Sequence, residues 1–88
     1  MSLTFPNRSR SYDEAGKRIR FVGHDGMFQI SFSVAADAMS KMQPGTAADE
    51  NGYLAAFDTV SSSIHEVARN AYARTRKSIY VLTAADFR

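Results

Sequence analysis

The chain has 88 residues, of which 44% are hydrophobic and 23% charged, and its formal net charge is +2. This length suits one domain, the composition is too hydrophobic for a disordered chain, and the absence of cysteine excludes disulfides and thiolate metal sites. Because no stretch is apolar enough for a signal peptide or a membrane span, we expect a single cytoplasmic domain over residues 1–88 that does not engage the membrane.

The first predicted element is a short β-strand near residues 8–12. Residues 12–17 follow it with the composition of a turn, in which Gly16 can adopt the left-handed conformation that closes a short hairpin loop. Pro6 lacks a backbone donor and limits the extension of this strand toward the amino terminus. The segment therefore predicts the first hairpin of a meander.

The strongest local signal is Asp25-Gly26, which lies between two runs of alternating apolar residues. Both residues tolerate the positive φ angles of a type I′ turn, so the pair predicts a tight hairpin with a two-residue loop. That loop places Ile19 opposite Phe32 and Phe21 opposite Ile30 on an apolar face. The other face is mostly polar and carries Arg18, Arg20, Gln29, Ser31 and Ser33.

A long helix is predicted because large apolar residues recur at spacings of three and four between Tyr53 and Ala71. Its start has two interpretations. Thr46 with Asp49 resembles a capping box, and Asn51 is the alternative cap. Gly52 then lies inside the helix, where glycine costs about 1 kcal/mol relative to alanine.

A short helix is expected over residues 34–42, with Ser33 as its N-cap, and it precedes the long one. The run Ile79–Thr83 is β-branched and aromatic, which favours a last strand. The sequence thus predicts an α+β domain in the order β-β-β-α-α-β, with a small antiparallel sheet packed against one long and one short helix. Its predicted core contains Ile19, Phe21, Phe28, Ile30, Phe32, Met39, Phe57, Val60, Ile64, Val67 and Val81.

Both ends of the sequence carry short motifs, Leu3-Thr4-Phe5-Pro6 and Leu82-Thr83-Ala84-Ala85-Asp86-Phe87. They resemble the short bacterial family catalogued as domain of unknown function 1488, whose members often open with a Phe-Pro step and often end in a Leu-Thr-Ser-x-Asp-Phe-like stretch. Ala84 stands where serine is common in that family. The resemblance spans nearly the whole chain and implies an α+β domain with an antiparallel sheet. It brings no catalytic residues, since the family has no assigned activity.

No pattern in the sequence predicts catalysis, a cofactor or a metal site. His24 and His65 are the only histidines, and their spacing does not suggest a shared metal. The serines at 61–63 lie mid-helix without a strand-turn-helix elbow, so we expect them to allow close packing or to bend the helix by bonding to a carbonyl. The isolated glycines form no phosphate-binding loop. We therefore expect a protein that is not an enzyme.

The charge layout supplies the candidate contact residues. Basic residues concentrate in residues 1–24 and 69–88, and acidic residues in the middle of the chain. The candidate contacts for nucleic acid or a partner are Arg18, Arg20, Arg74, Arg76 and Lys77. We expect a small binding or regulatory module that engages a protein partner or self-associates. The alternative is weak, mainly electrostatic nucleic-acid binding, provided that these residues form one surface.

Overall fold

The protein is described by a computed structural model that covers residues 3–5 and 10–87. Its elements are β1 (Arg10–Asp13), β2 (Arg18–Asp25), β3 (Phe28–Ala35), α1 (Ala36–Met42), α2 (Glu50–Thr75), β4 (Ile79–Leu82) and a short 3₁₀ helix (Ala84–Phe87). The predicted α+β class and the order β-β-β-α-α-β are confirmed. Residues 8 and 9 of the predicted first strand lie outside the described residues.

The four strands form one sheet in the order β1-β2-β3-β4, in which the first three make the predicted antiparallel meander. β4 joins this meander in parallel with β3, so the predicted antiparallel arrangement holds for the first three strands and not for the fourth. The direction of β4 follows from the path of α2. The start of α2 lies near Tyr12, because Tyr53 stacks on the Tyr12 ring. Its end lies near Asp25, because the Tyr72 hydroxyl donates a hydrogen bond to Asp25. The chain is thereby returned to the end of the sheet at which β3 begins, so β4 runs the same way as β3.

The predicted hairpin between β2 and β3 is present, but its predicted register is wrong by two residues: Phe21 pairs with Phe32. Asp25 is the last residue of β2, and the loop is Gly26-Met27 with a φ of 62° at Gly26. A type I′ turn at Asp25-Gly26 needs positive φ at both residues, whereas a glycine-first II′ turn needs it only at the glycine. A shift of two residues leaves every side chain on its predicted face.

The core lies between one face of the sheet and the helices, and most of its predicted members are buried: Ile19, Phe21, Ile30, Phe32, Met39, Phe57 and Ile64. Val60 and Val67 are partly buried against it. Two predicted core residues are wrong, since Phe28 is 72% exposed and Val81 is 59% exposed. Phe28 adjoins the hairpin loop at the end of the sheet, and in β4 the alternation of side chains buries Tyr80 and Leu82 instead.

The helix and turn predictions are corrected at their capping residues. α1 begins after Ala35 without a side-chain cap, because Ser33 belongs to β3. α2 has Asp49 as its N-cap, whose carboxylate accepts a 2.7 Å hydrogen bond from the Gly52 N–H. In the turn before β2, the left-handed residue is Lys17, with a φ of 50°.

α2 is not straight, since Val60 has φ −108° and ψ 17° inside the helix. The hydroxyl of Ser61 donates to the carbonyl of Asp58, and the hydroxyl of Thr59 donates to that of Ala55. Hydroxyl groups that bond to a preceding carbonyl bend helices. The predicted bending role of the serine segment is therefore supported at Ser61.

Candidate functional site: the open face of the sheet

One face of the sheet packs on the helices, and the opposite face, called the open face here, carries side chains from β2, β3 and β4. Strand pairing assigns to it Arg18, Arg20, Val22, His24, Gln29, Ser31, Ser33, Ile79 and Val81. Ser33 is buried, and the others are at least partly exposed. The polar face predicted for the β2–β3 hairpin therefore forms the central part of the open face. None of the helices described within residues 10–87 lies on this side, because their buried residues join the core on the other.

The open face combines apolar and polar side chains in rows across the strands. Val22, Ser31 and Ile79 form one row, and Arg20, Ser33 and Val81 form the next. Ile79 and Val81 are 67% and 59% exposed. In both rows the residue on β3 is a serine, and larger side chains flank it on β2 and β4.

A shallow depression of about 360 Å³ lies on this face over β2, between β1 and β3. Its lining includes Ser11, Arg20, Val22, Gln29 and Ser31. It offers amide, hydroxyl and guanidinium groups beside an aliphatic one. This mixture is typical of a surface that contacts another macromolecule rather than of a catalytic cleft.

Of the predicted contact residues, Arg18 and Arg20 both lie on the open face. The guanidinium of Arg18 contacts the carboxylate of Asp13 at 3.1 Å. Two hydrogen bonds hold the pKa of Asp13 below its ordinary value, of which that from the Gly16 N–H is the larger cause and that from Arg18 the second. Part of the positive charge of Arg18 is therefore balanced within the chain, whereas Arg20 is exposed.

The other predicted contact residues, Arg74, Arg76 and Lys77, lie at the carboxyl end of α2. The guanidinium of Arg76, the left-handed C-cap, lies 5.4 Å from the centre of the Tyr72 ring. The next residues lead into β4 at the level of Ser31, whose N–H bonds to the Ser78 carbonyl.

The two basic groups lie on opposite sides of β3. Arg18 is at the end of the sheet away from the start of β4, and Arg20 lies between, opposite Ser33. Arg18 pairs with Ala35, four residues beyond Ser31 along β3, which is about 13 Å along the strand. β2 and β4 lie on opposite sides of β3, which adds about 10 Å across the sheet. The structure brings Arg18 and Arg20 together, and Arg74, Arg76 and Lys77 together, but it does not join the two groups into one cluster.

The histidines have structural contacts. His24 exchanges two backbone hydrogen bonds of 2.8 Å with Thr4, and the His65 ring stacks on Phe5 at 4.1 Å between ring centres. Among residues 3–5 and 10–87, no cluster of three His, Asp or Glu side chains is placed to bind a metal ion. In the same part of the chain, no helix is both long and apolar enough to cross a membrane.

Sequence reasoning missed Ile79 as an exposed residue. Every residue from Ile79 to Leu82 is apolar or aromatic, so the pattern does not say which face of β4 is buried. The residue that decides the orientation of β4 is Tyr80. Its hydroxyl accepts hydrogen bonds from the Lys77 N–H at 2.6 Å and from the Thr75 hydroxyl at 3.2 Å. These partners at the end of α2 fix Tyr80 toward the helix and turn its neighbours outward.

Comparison with known protein families gives one result. Residues 3–82 match the family model described as "Protein of unknown function (DUF1488)". The match includes all four strands and both α-helices. The chain belongs to this family. No curated protein and no solved structure matches it.

In this DUF1488 protein the amino-terminal motif has a clear structural role. Leu3 is buried, and Thr4 pairs with the end of β2 through His24. The Phe5 ring lies between the sheet and α2, with the guanidinium of Arg69 5.3 Å from its centre. A side chain at Gly23 would crowd both Leu3 and Phe5, so this glycine leaves room for the segment.

Proposed function

We propose that this DUF1488 protein is a small non-enzymatic binding module that engages a protein partner through the open face. The observation that carries the proposal is the exposure of Ile79 and Val81, 67% and 59%, in rows with Val22 and Arg20. Apolar side chains grouped on a face that the helices leave uncovered are typical of interaction sites.

The composition of the open face supports a protein rather than a small ligand. Ile79 and Val81 on the edge strand supply apolar contacts, and Arg20 and Gln29 on the interior strands supply hydrogen-bonding groups. Protein interfaces often combine apolar contacts with polar groups that form hydrogen bonds. The depression on this face is shallow and lies open to solvent, so it suits a side chain of a partner better than an enclosed substrate.

Nucleic-acid binding, the alternative, has weaker support. The basic residues form two groups on opposite sides of β3, and Arg18 already contacts Asp13. Phe21 and Phe32, which RNA-binding sheets would expose for stacking, are buried in the core. A weak electrostatic contact through Arg74 and Lys77 predicts affinity that falls steeply with salt, and a gel shift at low salt tests it.

Site-specific photo-crosslinking tests the open face directly. A photoreactive amino acid replaces Gln29, which is exposed on the open face, and the matched control replaces Ser62, which is exposed on α2. We expect Gln29 to yield a distinct crosslinked polypeptide that Ser62 does not. That polypeptide is identified by mass spectrometry, purified and titrated against the wild type and a Val22→Glu variant. Equal crosslinking from both positions, or unchanged affinity of Val22→Glu, contradicts the proposal.

A further inference from the structure

β4 has a free edge, because it is the last strand in the sheet order and pairs only with β3 among the described strands. The Ser31 N–H bonds to the Ser78 carbonyl, which sets the pattern of the parallel ladder. In such a ladder alternate residues direct both backbone groups to the neighbouring strand. Ser78, Tyr80 and Leu82 therefore face β3, and Ile79 and Val81 direct their N–H and C=O groups outward.

The free edge of β4, a strand of four residues, carries no proline, charge or bulge that would block pairing with another strand. Natural edge strands are commonly blocked by one of these devices. Here the charges lie only beyond the strand ends, with Lys77 before it and Asp86 after it.

We propose that the free edge of β4 pairs antiparallel with β4 of a second copy of this chain, joining two four-stranded sheets into one. Residues directly opposite each other in a sheet share a face, so Ile79 and Val81 must meet residues of the same open face. In the proposed register Ile79 lies opposite Val81 of the copy, and Tyr80 lies opposite Tyr80 at the twofold axis. Each Ile79–Val81 pair exchanges two backbone hydrogen bonds.

Two hydrogen bonds within the chain exclude the neighbouring registers. Pairing Val81 with Val81 would bring Ile79 to Thr83, whose N–H already donates to the Asp86 carboxylate at 2.7 Å. Pairing Ile79 with Ile79 would bring Val81 to Lys77, whose N–H already donates to the Tyr80 hydroxyl at 2.6 Å. Only the intermediate register uses outward donors that are not engaged in these bonds.

Charge complementarity supports the same register. Lys77 of one copy then lies opposite Thr83 of the other copy, and therefore near Asp86 of that other copy. The twofold axis repeats this lysine–aspartate pair at the far end of the paired strands. Opposite charges at both ends favour the antiparallel arrangement, since a parallel one would place lysine beside lysine. The inference concerns the edge of the sheet and does not depend on the proposed partner of the open face.

Sedimentation analysis of charge-swapped variants tests the pairing. The variants are Ile79→Lys/Val81→Lys and Ile79→Glu/Val81→Glu, whose substituted side chains are exposed in the monomer. The wild type should shift from the mass of one chain toward two as its concentration rises to about 1 mM, because an interface below about 1,200 Å² associates weakly. Each variant should stay monomeric, since like charges then face each other, and an equimolar mixture should recover the dimer.

Disulfide trapping tests the register and does not require the charged variants to fold. The chain has no cysteine, so Ile79→Cys and Val81→Cys copies can be mixed under oxidising conditions. Hydrogen-bonded antiparallel neighbours have Cα atoms about 5.5 Å apart, within disulfide range. The mixed dimer should form faster than either homodimer, and a Ser62→Cys copy should not join it.

A monomeric wild type throughout the concentration range would overturn the inference, as would dimers in both charged variants or a mixture of folded variants that stays monomeric. Faster trapping of a homodimer than of the mixed pair would overturn the register. These failures are distinguishable from failure of the proposed function. A monomer that still crosslinks a protein through position 29 keeps the partner and loses the dimer, and a dimer without that crosslink does the reverse.

Discussion

The hydroxyl of Tyr72 donates a 2.6 Å hydrogen bond to the carboxylate of Asp25, which joins the last part of α2 to the end of β2. The Tyr72 side chain is buried, and the guanidinium of Arg76 lies over its ring. This contact holds the β2–β3 hairpin against the helix at the end of the sheet where β4 begins. The geometry of the open face therefore depends on it.

Tyr72→Phe should lower the midpoint of thermal unfolding by roughly 5 °C, because the ring packing is kept and one charge-assisted hydrogen bond is lost. The measurement is a melt followed by circular dichroism. Tyr53→Phe is the matched control, since Tyr53 is a partly buried tyrosine that stacks on Tyr12. Equal effects of the two substitutions would show that the bond to Asp25 contributes nothing particular.

The same contact predicts a pH dependence at the alkaline end. The pKa of Tyr72 is raised above its ordinary value of 10, mainly by the hydrogen bond to Asp25 and secondly by burial of the side chain. A raised folded pKa stabilises the fold below about pH 10, and this contribution is lost as pH rises through the folded pKa. The stability difference between the wild type and Tyr72→Phe should therefore be constant near pH 8 and should shrink above pH 10.

Asp13 predicts the opposite dependence. Its pKa is lowered by the Gly16 N–H and by Arg18, so the ionised carboxylate stabilises the fold. This contribution is present above the ordinary pKa of 3.8 and is lost as pH falls through the folded value. Asp13→Asn should be less stable than the wild type at pH 7 and should match it near pH 2. Chemical denaturation at the two pH values measures this, and a difference that persists in acid would contradict it.

Gly52→Ala should destabilise the protein although alanine is the better helix former. A Cβ at this position would collide with the carbonyl group of Ala47, a residue of the segment just before the N-cap of α2. The expected cost is about 1–3 kcal/mol, typical of overpacking, against a gain of about 1 kcal/mol in propensity. The control is Ser62→Ala on the exposed side of α2, which should be neutral or stabilising in urea denaturation. A Gly52→Ala variant as stable as the control would mean that the segment before α2 moves aside.

Ile30→Asp should unfold the domain. Ile30 is buried in β3, and an unpaired charge there costs several kcal/mol, comparable with the total stability of a small domain, about 5 kcal/mol. Gln29→Asp, on the adjacent exposed residue, is the control and should remain folded. Amide NMR dispersion distinguishes the two. A folded Ile30→Asp protein would contradict the assignment of this residue to the core.

The fold could be predicted to the extent that it depends on local patterns. Alternation in β2 and β3 assigned residues such as Phe21 and Phe32 to the buried face correctly, even though the register was wrong by two residues. The turn was misplaced because the pair Asp25-Gly26 is compatible with two hairpin loops. The choice between them depends on which residues must take positive φ.

The candidate site was less predictable, because it depends on how distant elements meet. The sequence placed Arg20 and Ser31 on one polar face, which the structure confirms. It could not assign the exposed side of β4, since Val81 and Tyr80 are both suited to a core. It also could not show that Arg76 and Arg18 lie at different ends of the sheet, because that separation is set by the path of α2.

The parallel position of β4 has a consequence for the order of folding. The β2–β3 hairpin joins neighbouring segments, whereas β4 can reach β3 only after α1 and α2 have brought the chain back, and such non-local pairing is slow. We expect pulsed hydrogen exchange to protect the Phe21 amide before that of Tyr80, and simultaneous protection would argue against this order. Ile79 and Val81 then reach their final positions in the last step. A partner that binds them would discriminate the finished domain from its folding intermediates.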